Sequence, residues 1–120
     1  MSDKKYNPSK EEIEDAIIGA MEGGSSYWAG LNNRPDIWRL REKGTPLSEY
    51  AIKLLTEGDK VLFYDIENPS DEWELTMDKL KEGFNLAIKQ NYYDPKVDDI
   101  DSEIADMILQ LSLFGEIVFG

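Results

Sequence analysis

The chain has 120 residues, 41% of them hydrophobic, with 25 acidic against 13 basic side chains and a formal net charge of −12. That length suffices for one domain with its own core, and so acidic a balance argues against direct contacts with nucleic-acid phosphates or anionic lipid. With neither cysteine nor histidine, disulfides, thiolate metal sites and every nucleophile–histidine pair are excluded. An enzyme would have to rely on carboxylates, lysine or tyrosine, with a glycosidase-type carboxylate pair still open; the reading is non-enzymatic, with no cofactor or metal expected.

The opening stretch MSDKKYNPSKEE is polar, without the apolar run of a signal peptide, and residues 1–8 read as a flexible tail before a single domain over 9–120. Ser9 is placed to cap a helix, with Glu12 at the capping-box spacing, and Ile13, Ala16, Ile17, Ala20 and Met21 form its apolar face. Gly23 or Gly24 is expected to end that helix in a left-handed conformation, and SSYWAG to follow as a strand. The segment LNNRPDIWRLREKG gathers Arg34, Arg39, Arg41 and Lys43 around Trp38, either as an interface anchor or as partners for the chain's own carboxylates. Next comes a helix capped by Thr45, with Pro46 at its first position, Leu47, Ala51, Leu54 and Leu55 on its inner face and Gly58 as stop.

KVLFYDI and DEWELT read as strands joined through the turn residues of ENPSD. Thr76 caps a helix that presents Leu80, Phe84, Ala87 and Ile88. Asp99 or Asp101 caps the last helix, whose inner face is Ile104, Met107, Ile108 and Leu111 and whose stop is Gly115. The closing LFGEIVFG is apolar enough for a partner surface and reads more simply as a core strand or packed tail. The expected fold is α+β, a single domain of about four helices on a small, mainly antiparallel three-stranded sheet. No stretch approaches the roughly 18 apolar residues of a bilayer span; a cytoplasmic protein with no membrane partner is expected.

Two stretches compete as sites. Gly23, Gly24, Ser25, Tyr27 and Trp28 offer exposed backbone beside an aromatic pair, the makings of a small-ligand or nucleotide site. These glycines, however, follow a helix instead of opening one, and no P-loop lysine accompanies them, which favours a plain turn. Charge argues for the second stretch: residues 61–120 carry 14 acidic and 4 basic side chains, whereas 1–60 carry 11 and 9. Asp98, Asp99, Asp101, Glu103 and Asp106 follow one another without the EF-hand's central glycine, so calcium is not indicated. All five are expected to be exposed, either as an ordinary acidic helix start or as a phosphate-like surface for a basic protein groove.

AMEGGSSYW near the start and DSEIADMILQLSLFGEIVFG at the end resemble a family of small acidic proteins of phages, prophages and conjugative elements. That family shows an A-x-E-G-G-x-x-Y-W stretch and an I-x-Q-x-x-L-F-G-E-I-V-F/Y-G tail. The likeness covers about a third of the chain closely and LTMDKLKEGFNLAIKQ more loosely, while the middle of the chain follows no such pattern. It implies a setting in mobile DNA and no particular activity. Small, acidic, histidine-free proteins of that setting include inhibitors of host defence such as anti-CRISPR proteins, an analogy of class only. The expected function is therefore a non-enzymatic accessory protein that binds a basic protein surface, such as a nucleic-acid-binding host protein, in the manner of a DNA mimic of anti-CRISPR or anti-restriction type. The alternative is a nucleotide-binding or sponge protein using the EGGSSYW turn.

Overall fold

The computed structural model describes residues 5–31 and 47–120. Helix α1, Lys10–Gly19, starts at a complete capping box: Ser9 Oγ accepts the Glu12 N–H at 3.1 Å, and Glu12 Oε1 accepts the Ser9 N–H at 2.9 Å. Ile13, Ala16 and Ile17 are buried along one face, as the spacing predicts. The helix does not end at a left-handed glycine. It widens into a π-helical turn over Ala20–Gly24, in which the Ser25 N–H donates to the Ala20 carbonyl, five residues back. Space explains the second glycine: a Cβ on Gly24 would stand 2.2 Å from the Ser102 carbonyl oxygen.

Residues 25–28 form a turn, with the Trp28 and Ala29 N–H groups both donating to the Ser25 carbonyl. Strand β1 is therefore only Ala29–Leu31, shorter than the SSYWAG strand expected. Helix α2, Leu47–Thr56, buries Tyr50, Ala51, Leu54 and Leu55, while Leu47 is exposed, contrary to its expected place on the inner face. Gly58 stops it at φ 88°, which favours glycine. Thr45, Pro46 and the basic cluster around Trp38 lie outside the described residues, as do residues 1–4.

Strands β2, Val61–Asp65, and β3, Glu72–Leu75, form the expected hairpin, with Phe63 opposite Trp73. On the other edge of β2, Leu31 lies opposite Phe63, giving an antiparallel sheet in the order β1-β2-β3. Helix α3, Met77–Lys89, is capped by the Thr76 hydroxyl, and helix α4, Ser102–Phe114, by the Asp101 carboxylate, which accepts the Ile104 N–H at 2.8 Å. Gly115, at φ 74°, ends α4 as expected. The fold is α+β, with four helices and one three-stranded sheet among the described residues.

Helix α4 is central. It packs on α1, the π-turn, α3 and β3, and every residue from Ile108 to Ser112 is buried. A helix covered on so many sides has no single apolar stripe, which explains a departure from expectation. Ile104 and Met107 are only half-buried, whereas Ala105 and Leu109 are in the core. Against α3 the approach is close enough that a Cβ on Gly83 would meet Ser112 Oγ at 1.9 Å and the Ile108 carbonyl oxygen at 2.8 Å.

Both ends of the described chain are fastened by a single amide side chain. Asn85 of α3 accepts the Tyr6 N–H at 2.6 Å and donates to the Tyr6 carbonyl at 2.8 Å, and Pro8 is buried. Tyr6 and Pro8, within the segment expected as a flexible tail, are thus held against the fold. Gln110 of α4 does the same for residues 116–120: its Oε1 accepts the Val118 and Phe119 N–H groups at 2.8 Å each, and its Nε2 donates to the Phe119 carbonyl at 3.1 Å. These residues form no strand, because a side chain supplies the bonds a neighbouring strand would have given. Among the described residues, no helix is long and apolar enough to cross a membrane.

Candidate functional site

The two sets of candidate residues meet at Asp106. Its carboxylate is buried and accepts from the Ser25 hydroxyl at 2.8 Å, the Trp28 indole N–H at 2.7 Å, the Tyr27 hydroxyl at 2.6 Å and the Gln110 amide at 3.2 Å. The expectation that Asp106 would be exposed and meet a partner is corrected. A carboxylate tolerates burial when donors surround it, and these come from residues about eighty positions away in the sequence. Serine, tyrosine and tryptophan of the glycine turn each turn their polar group inward to the same two oxygens.

This placement removes the turn's aromatic platform. Trp28 is buried, its ring stacked on Phe119 with centroids 4.7 Å apart and tilted onto Phe114 and Trp73. Neither it nor the buried Ser25 is free to hold a nucleotide. Tyr27 differs: its ring is half exposed while its hydroxyl points into the cluster. Burial of that hydroxyl, together with its bond to Asp106, pushes its ionisation up to about 12.

Above the cluster lies a hollow of about 450 Å³ between Gly23, Gly24 and Tyr27 on one side and Met107, Ile117 and Phe119 on the other, with Glu103 on its wall. The motifs at the two ends of the sequence thus form one spatial unit. Every fully buried side-chain nitrogen and oxygen among the described residues has a partner.

The other acidic residues are placed as expected. Asp98, Asp99, Asp101 and Glu103 are exposed. Asp98 also accepts the Asp94 N–H at 2.8 Å, and Asp101 serves as the cap of α4. A second hollow, of about 300 Å³, brings Asp98 and Asp99 against Glu11, Glu12 and Asp15 of α1. Sequence position alone gave no sign of that meeting. Among the described residues, none of Glu11, Asp15, Asp98, Asp99, Asp101 and Glu103 forms an ion pair.

On the wall of this hollow, the Tyr6 and Tyr93 hydroxyls each donate to Glu12 at 2.6 Å. Burial works to raise the Glu12 pKa, but the Ser9 N–H and the two hydroxyls outweigh it and hold the carboxyl below its ordinary value. Tyr6 is pushed up to about 12, chiefly by its bond to Glu12, and Tyr93 is raised by burial and by the same carboxylate. The capping-box spacing identified Glu12 as a cap; nothing local pointed to the tyrosines. Among the described residues no group of three or more acidic side chains is arranged to hold a metal ion.

No protein-family model, curated protein or solved structure matches the chain.

Proposed function

We propose that this chain is a non-enzymatic accessory protein of a phage or other mobile element that acts in the cytoplasm by binding a basic protein surface. The observation that carries the reading is the convergence of Asp98 and Asp99 with Glu11 and Asp15 on one exposed acidic face that forms no ion pair among the described residues. Like charges gathered without internal partners repel one another and cost stability. A protein surface rich in lysine and arginine relieves that cost on binding and is steered in by the same field. A nucleic-acid-binding groove of a host defence protein is such a surface, and in that setting the acidic face acts as a DNA mimic.

The test is capture from host lysate on the immobilised protein at low and at high salt. A basic partner should be recovered at low salt and released at high salt, because contacts between exposed charges are screened within about 10 Å at 0.1 M. Recovery of no partner, or of one indifferent to salt, would count against the reading.

A further inference from the structure

We infer that the hollow between the glycine turn and the C-terminal segment is the apolar anchor pocket of that same interface, taking one aromatic or long aliphatic side chain of a partner segment whose neighbouring residues are lysine or arginine. The inference rests on the function proposed above and adds to it a second kind of contact.

Three observations support it. At about 450 Å³ the hollow lies toward the small end of the range of ligand pockets, which runs from roughly 300 to 1,000 Å³. Met107, Ile117, Phe119 and the ring of Tyr27 are the apolar part of its lining, and three of the seven large hydrophobic residues exposed among the described residues, Tyr27, Ile117 and Val118, are at or beside it. Exposed apolar groups gathered in one place mark contact surfaces, whereas scattered ones do not.

The charge around the hollow defines the occupant. Among the described residues no lysine or arginine lines it, Glu103 stands on its wall, and Glu22 and Glu116 are exposed next to lining residues in the chain. An anion or nucleotide would meet the Glu103 carboxylate on that wall. The Asp106 carboxylate and the Gln110 amide, which line the hollow, are already bonded to Ser25, Tyr27 and Trp28 and to the C-terminal segment, and the apolar side chains beside them suit an apolar group. Glu103 also ends the run that starts at Asp98 on the acidic face, which makes hollow and acidic face neighbours along one edge. Apolar anchors inside a charged rim are the usual anatomy of a strong contact.

The experiment is an NMR titration of the full ¹⁵N-labelled chain with three blocked pentapeptides: Lys-Lys-Phe-Lys-Lys, Lys-Lys-Gly-Lys-Lys and Glu-Glu-Phe-Glu-Glu. The phenylalanine–lysine peptide should shift the amides of Gly23, Gly24 and Val118. It should bind about tenfold more tightly than its glycine counterpart, the scale expected for burying much of one aromatic side chain. Ile117→Ser, at an exposed position, should erase that tenfold preference without changing the binding of the glycine peptide. Glu103→Gln should weaken both lysine peptides, and the glutamate peptide should not bind. Equal binding of the two lysine peptides, with shifts confined to residues 94–101 and the start of α1, would overturn the anchor pocket and leave the acidic-face reading standing. Failure of every peptide to bind would overturn the anchor pocket as well.

Discussion

The Trp28 indole N–H donates to Asp106 Oδ1 across 2.7 Å with both side chains buried, and this bond joins the start of the sheet to the central helix. Asp106→Ala would leave the Ser25 hydroxyl and the Trp28 N–H without an acceptor, at roughly 1–3 kcal/mol for each buried group left unpaired. A fall in melting temperature of about ten degrees or more is expected for a domain of this size. Asp106→Asn should fall between the two proteins, because its amide keeps one acceptor oxygen and sets an NH₂ against the remaining donors. Thermal melts of both variants check this, and an alanine variant within about two degrees of the parent would contradict it.

Gln110 is expected to govern the C-terminal segment. With Gln110→Ala, the Val118 and Phe119 N–H groups lose their acceptor and Phe119 loses its hold over the Trp28 ring. Hydrogen exchange at those two amides should accelerate strongly, and tryptophan fluorescence should change as the ring gains solvent. Gln110→Glu keeps the acceptor yet sets a second carboxylate beside Asp106, so it should be no milder. Unchanged exchange at both amides would show that ring stacking alone holds the segment.

Gly83 sits where α3 and α4 touch. A methyl group there would overlap Ser112 Oγ and crowd the Ile108 carbonyl, and overpacking of this kind typically costs about 1–3 kcal/mol. Gly83→Ala should therefore destabilise, although alanine is the better helix former by about 1 kcal/mol. The double variant Gly83→Ala, Ser112→Ala should recover part of the loss by removing the atom met first. Urea denaturation of the single and double variants measures both effects.

What was legible in the sequence was local. Ser9 with Glu12, Thr76, Asp101, Gly58 and Gly115 announce where helices start and stop because capping acts within a few residues. Alternation and turn residues likewise mark the hairpin of β2 and β3. Asp106 was misread for the same reason. Periodicity excludes a carboxylate from an apolar stripe, and only contacts about eighty residues away show that this one is surrounded by donors. Asn85 and Gln110 gave no local sign, since each fastens a segment that is distant in sequence or irregular in form. The meeting of Glu11 and Asp15 with Asp98 and Asp99 depends on how α1 packs beside the loop before α4, and the charge count could not reveal it.

Glu12 and its two tyrosines should give stability a dependence on pH at both ends. The Glu12 pKa is held below its ordinary 4.5, so its contribution is present above that value and is lost as pH falls through the lowered one. Tyr6 is raised from 10.0 to about 12, so its contribution is present below pH 10 and is lost as pH rises toward 12; Tyr93 acts in the same sense. Urea midpoints across pH should show Glu12→Gln with a flatter acid limb and the double variant Tyr6→Phe, Tyr93→Phe with a flatter alkaline limb. Tyr27, also raised to about 12, should leave some alkaline dependence in that double variant.

The acidic face should separate binding from stability. Asp98, Asp99 and Glu103 are exposed and unpaired with any basic group among the described residues, and the one backbone bond at Asp98 survives in asparagine, which keeps an acceptor oxygen. Replacing the three by Asn, Asn and Gln removes a favourable dipole contribution at Glu103 of about 0.3–1 kcal/mol. It also relieves repulsion between Asp98, Asp99 and the nearby Asp15, which acts in the opposite direction. The melting temperature should stay within about four degrees of the parent, in contrast to the large loss expected for Asp106→Ala. Capture of a basic partner at low salt should fall sharply in the triple variant, because three charges of the proposed contact are gone. A triple variant that melts early while still capturing the partner normally would make the run structural and remove the main support for a DNA-mimicking surface.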